Sequence, residues 1–172
     1  MTIEDVQVVI TRETTPVTQA GFGLPLIVGA KGTTDYDTLG YCICNTLADV
    51  AALVPADEGE EDPGTAGTGV YKIAQKIFAQ TPAPEKIAVV WLNMTSSETL
   101  VAGLTALMAA GHNDWYFLLS ESQTAANVDA LAAFAAANGK LYFGSMTNTV
   151  LGTLDDTTLA LDRAVILCHK NA

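Results

Sequence analysis

Apolar positions change their rhythm along this chain. Within residues 4–15, Val6, Val8 and Ile10 share one face and Gln7, Val9 and Thr11 the other, the period-two pattern of a strand. The breaker-rich stretch ETTPVTQAGFG follows and sets that strand apart from the rest. From Leu24 onward, short continuous apolar runs alternate with stretches of helical spacing. LPLIVGA (24–30) is expected as the first core strand, with Pro25 tolerated only near its start. YCIC (41–44) reads as a short strand or a sheet edge. In TLADVAALV, Leu47, Val50, Ala51 and Val54 fall at helical spacing, and Thr46 stands three residues before Asp49 as a weak capping box.

PADEGEEDPGTAGTG (55–69) has no periodicity and reads as a loop. VYKIAQKIFAQ then places Val70, Ile73, Ala74, Ile77 and Phe78 on one helical stripe. IAVVWL (87–92) is a strand apolar on both faces. Thr95 and Glu98 form a capping box ahead of Leu100, Leu104, Leu107 and Met108, and Gly111 stops that helix. DWYFLL (114–119) is the next strand, and Val128, Leu131 and Phe134 mark a further helix ended by Asn138 and Gly139. LYFG (141–144) is another strand, a short helix starts at Asp155 or Asp156, and AVILC (164–168) is the last strand. Strands apolar on both faces and alternating with helices imply a three-layer α/β domain. Its sheet is mostly parallel with helices on both faces and spans residues 24–172, preceded by an extended arm strand and linker over residues 1–23.

Composition supports a packed globule, with 49% apolar and 16% charged residues in 172. No apolar run approaches the roughly 20 residues that span a bilayer. No basic region with a following apolar stretch opens the chain, so the expected compartment is the cytoplasm. A net charge of -11, from 19 acidic and 8 basic residues, disfavours nucleic acid and anionic membrane surfaces as partners.

Candidate chemistry is sparse. Gly21 and Gly23 precede a strand rather than follow one, so they do not form a dinucleotide-binding turn. Cys42 and Cys44 put two sulfurs on one face of a strand, with only Cys168, His112 and His169 left to complete a zinc site, and inert thiols are the better reading. The acidic run from Asp57 to Asp62 lacks the alternating spacing of a calcium loop. Ser120 and Ser145 are expected at carboxyl ends of strands, where α/β sheets place sites, but neither lies in a Gly-x-Ser-x-Gly elbow. No catalytic, cofactor or metal residue is therefore assigned, and the expected chain is not an enzyme.

Three stretches, in order, carry a likeness: VTQAGFGLPLIVGA, TLADVAALV and VYKIAQKIFAQTPAPEKIAVVWL. The chain resembles the contractile tail sheath proteins of bacteriophages and related injection machines. The third stretch shows a helix ending in Phe-Ala-Gln, a Pro-x-Pro turn and then a strand. The likeness covers about residues 5–95 and beyond that rests on the strand–helix rhythm alone.

The resemblance implies a structural subunit of the virion tail, assembled in the host bacterial cytoplasm. It implies rings of identical copies stacked around an inner tail tube above a baseplate, with no cofactor. Extended arms then donate strands to neighbouring subunits, and the sheath shortens to drive genome or effector delivery. By that analogy Val6, Val8 and Ile10 form the apolar face of an inter-subunit strand; the alternative is an ordinary edge strand of the chain's own domain. Sheath subunits usually continue into a carboxy-terminal domain, so this chain is expected to be an amino-terminal fragment or a shortened relative. Two other readings stand beside it: a small α/β enzyme or ligand-binding domain with a site near Asn93, Ser120 and Ser145, and a tail adaptor or completion protein sharing only the sheath-like domain.

Overall fold

Runs rich in β-branched and large apolar residues form the centre of the molecule. The computed structural model describes residues 23–31, 40–53, 69–93, 99–147 and 161–169. The arm strand with Val6, Val8 and Ile10, the acidic run from Asp57 to Asp62, Thr95, Glu98 and the helix expected near Asp155 lie outside those residues.

The strands are β1 (Pro25–Lys31), β2 (Gly40–Cys44), β3 (Ile87–Asn93), β4 (Phe117–Ser120), β5 (Leu141–Thr147) and β6 (Ala164–His169). The helices are α1 (Leu47–Ala51), α2 (Gly69–Phe78), α3 (Leu100–Ala109) and α4 (Ala125–Ala137), and a 3-10 turn over Leu161–Arg163 leads into β6. They build one six-stranded sheet in the order β2-β3-β1-β4-β5-β6. Every neighbouring pair is parallel except β2 with β3. The expected α/β architecture with a mostly parallel sheet is therefore present, and β2 is an edge among the described strands.

Successive strand side chains point to opposite faces, so each central strand serves two cores. Leu26 and Val28 of β1, Val90 of β3 and Leu118 of β4 join a large core with Leu104 and Leu107 of α3 and Leu131 and Ala135 of α4. Ile27 and Val89 join a smaller one with Val50 of α1 and Val70 and Ala74 of α2. Complete burial of Leu26, Ile27 and Val28 in succession explains the continuous apolar run in the sequence. Each such side chain contributes about 1.5–3 kcal/mol of transfer free energy.

Local chemistry sets the helix ends. Thr46 and Asp49 form the expected capping box: the Asp49 N–H donates to Thr46 Oγ1 at 3.2 Å, and the Thr46 N–H donates to Asp49 Oδ2 at 2.9 Å. For α3, the N-cap is Thr99 rather than the expected Thr95, and its hydroxyl accepts from the Ala102 N–H at 3.1 Å. Gly111 and Gly139, with φ of 92° and 66°, make left-handed turns after α3 and α4, as their positions in the sequence suggested.

Two sequence expectations shift. The run read as a strand from Asp114 becomes regular only at Phe117. Trp115 turns inward instead, 1% exposed, with its indole N–H donating to the His112 carbonyl at 3.0 Å. The strand read as ending at Gly144 continues to Thr147 through pairing with β6.

Candidate functional site

An open parallel sheet offers a ligand crevice where the chain reverses its direction of travel across the strands. Here the chain moves from β1 to β3 on one side, then crosses to β4 on the other, so the crevice lies at the carboxyl ends of β1 and β4. Gly29 stands near the end of β1, Ser120 at the end of β4, and Gly69 opens α2 beside them. The lack of a side chain at both glycines has a steric cause. A Cβ on Gly69 would stand 2.5 Å from Glu121 Cβ, and one on Gly29 would meet Val70 Cγ2 and lie 3.2 Å from Glu121 Oε1.

The Glu121 carboxylate therefore occupies the crevice and faces the amino-terminal end of α2. A helix amino terminus favours negative charge, so Glu121 holds the place that a phosphate would need. The sequence reading missed this residue, because Glu121 sits in no motif and its neighbours come from strand order.

Ser120 and Ser145 do not converge. Ser120 shares the parity of Leu118, on the large-core face, and accepts a hydrogen bond from the Ser122 N–H at 3.0 Å. Ser145 lies inside β5, paired with Leu167, on the face shared by Phe143. The expectation that Ser145 sits at a strand end is thus corrected: β6 extends the ladder past it. Asn93 ends β3, in register with Lys31 and three positions beyond the Val28 level at which Ser120 pairs. Strand rise makes that offset roughly 10 Å.

Cys42 and Cys44 do share a face, as the sequence indicated, and both pack in the smaller core. Burial pushes the Cys44 thiol up to about 12, helped by the adjacent Cys42, which keeps it protonated and inert. Among the described residues, no three His, Cys, Asp or Glu side chains group as a metal site would need. His112 follows the turn after α3, where its ring stacks on Tyr41 at 4.2 Å between centroids.

Lys140 is 8% exposed and serves structure. Its ammonium donates to the carbonyls of Trp115 at 2.7 Å and Asn113 at 3.0 Å, and lies 4.5 Å from the centre of the Trp115 ring. It ties the start of β5 to the lead-in of β4. Burial lowers its affinity for the proton, and Asp114 partly offsets that.

An open apolar groove lies beside α2. It has a volume of about 810 Å³ and is floored by Phe117, Leu119, Phe143 and Leu167 and walled by Ile73 and Ile77 of α2. Lys72 and Lys76, one helical turn apart, also line it. It ends at β6, whose Val165 and Leu167 are 42% and 65% exposed. No described strand pairs with the outer side of β6. No protein-family model matches the chain, and no curated protein matches it.

Proposed function

We propose that this chain is a structural subunit of a contractile tail sheath. It polymerises with copies of itself around an inner tail tube, in contact with a baseplate, and repacks during contraction to drive genome or effector delivery. The observation that carries the reading is the edge strand β6. Its sequence AVILCH has no proline, lysine or carboxylate, the usual guards of an edge, and two of its large apolar side chains stand exposed. Such an edge favours addition of a strand from another chain through backbone hydrogen bonds.

Two further features agree with this reading. The stretches that resemble sheath proteins fall on β1, α1, α2 and β3, where β1 and β3 are adjacent interior strands of the sheet. The Glu121 carboxylate stands beside Gly29 and Gly69, in the crevice that would hold a small ligand. The arm bearing Val6, Val8 and Ile10 supplies the added strand: its alternating pattern lays that apolar face on a neighbour's sheet, with Gln7, Val9 and Thr11 on the other. A head-to-tail contact that does not close generates a helical tube, and energy stored in that packing drives contraction without a nucleotide. The function is mechanical rather than enzymatic, and its location is the virion tail.

Removing residues 1–15 tests this assignment. The shortened chain is expected to keep its cooperative unfolding while losing polymers in sedimentation. A shortened chain that polymerises as the parent does, or that unfolds because the strand belonged to its own sheet, contradicts the proposal.

A further inference from the structure

The apolar groove beside α2 has a topological origin. Steps from β3 to β4 and from β4 to β5 run in the same direction across the sheet, and right-handed crossovers put their helices on the same face. Accordingly α3 and α4 both pack in the large core. The step from β5 to β6 continues in that direction, and its closing 3-10 turn packs against α4. The opposite face of β4, β5 and β6 therefore receives no described helix, whereas α1 and α2 cover the same side of β1 and β3.

We propose that this face docks an amphipathic helix of a partner protein, laid alongside α2, with carboxylates one turn apart meeting Lys72 and Lys76. The dimensions fit one helix. Three strands span about 10 Å across, and packed helices stand about 8–10 Å apart. Along α2 the wall runs from Lys72 to Ile77, or roughly 8 Å, about one and a half turns, and Gln80 extends it just past the helix end. Apolar residues of the incoming helix at i, i+3 and i+4 would cover Phe117, Leu119, Phe143 and Leu167.

Charge selects the occupant. This chain carries 19 acidic and only 8 basic residues, yet among the described residues two lysines and no carboxylate line the groove. A partner helix edged with Asp or Glu is complementary there, and one edged with Lys is repelled. With Leu167 65% exposed, the site is an open shelf. Small amphiphiles bind better where most of their surface is enclosed. The proposal is independent of the sheath assignment, since it concerns a sheet face rather than an edge.

The probe is a synthetic helical peptide about four turns long, with a leucine stripe flanked by glutamates one turn apart, titrated calorimetrically. The glutamate peptide is expected to bind, and to shift NMR signals of Leu119 and Phe143 but not those of β2. Lys72→Glu with Lys76→Glu should weaken it about tenfold, as two attractive pairs become repulsive, and a lysine-edged peptide should restore binding to that variant. Both lysines are exposed on the helix surface, so the variant is expected to fold. Absence of binding, equal binding of both peptides, or binding of laurate but not the peptide would overturn the proposal. So would a free chain in which a soluble paramagnetic probe leaves the Leu119 and Leu167 methyl signals unbroadened, because the face is then already covered.

Discussion

Replacing Tyr142 by Phe should stabilise this protein, although it removes a polar group. Tyr142 lies in β5 opposite Leu118, is fully buried in the large core, and its hydroxyl has no hydrogen-bond partner among the described residues. A hydroxyl desolvated without a partner costs about 1–3 kcal/mol. Deleting the oxygen gives up a handful of dispersion contacts at about 0.1–0.2 kcal/mol each. The net expectation is a gain of about 1 kcal/mol, seen as a Tm higher by about 2–4 °C for a chain of this size.

The alkaline limb provides an independent readout. Burial pushes the Tyr142 hydroxyl above its ordinary value of 10.0, so the native state holds its proton where the unfolded state releases it. The stability linked to that proton is fully present below pH 10.0 and is lost as pH rises through the native value, and the Phe variant lacks this component. Urea unfolding at neutral and alkaline pH measures both effects. A Phe variant less stable than the parent by about 1 kcal/mol or more would refute the reasoning, because the hydroxyl would then have to be bonded in solution.

Further substitutions probe other parts of the account. Gly40→Ala should destabilise by about 1–3 kcal/mol in urea unfolding, since its Cβ would stand 2.7 Å from Cδ2 of the rigid Trp91 indole; an unchanged midpoint contradicts that packing. Lys140→Met should cost about 1–3 kcal/mol by leaving the buried Trp115 carbonyl unsatisfied, and an unperturbed Trp115 fluorescence and midpoint would argue against the tie between β4 and β5. Cys44 should resist iodoacetamide in the native state at pH 8, with Cys42 alkylated first by mass spectrometry. Because the Cys44 thiol is raised from 9.0 to about 12, its contribution to stability should fall as pH climbs from 9 towards 12. Faster labelling of Cys44 than of Cys42 contradicts its burial.

Much of the fold was legible because local pattern and tertiary role agree. Ile27, Val28 and their neighbours are buried on both faces, so an unbroken apolar run marked β1, with Pro25 at its first position. Thr46 with Asp49 and the glycines at 111 and 139 announced helix ends through chemistry confined to a few residues. Elements that depend on distant partners were harder to read. Trp115 and Tyr116 look like strand residues, yet Lys140 and the His112 carbonyl draw Trp115 inward before β4 begins. The length of β5, and with it the position of Ser145, depends on pairing with β6.

The candidate surfaces were the least legible. Glu121 reaches Gly29 and Gly69 only because strand order brings β1, β4 and α2 together. In the sequence, Lys72 and Lys76 look like the solvated face of an amphipathic helix. They border a groove because successive crossovers from β3 to β6 leave one face of the sheet uncovered by any described helix, a consequence of handedness rather than of composition.

The central claim is that this chain assembles into a tube, and negative-stain electron microscopy of the protein expressed from its natural gene tests it most directly. The account predicts tubes or stacked rings of repeating subunits. Dispersed single particles, at concentrations where the protein is folded, would contradict it.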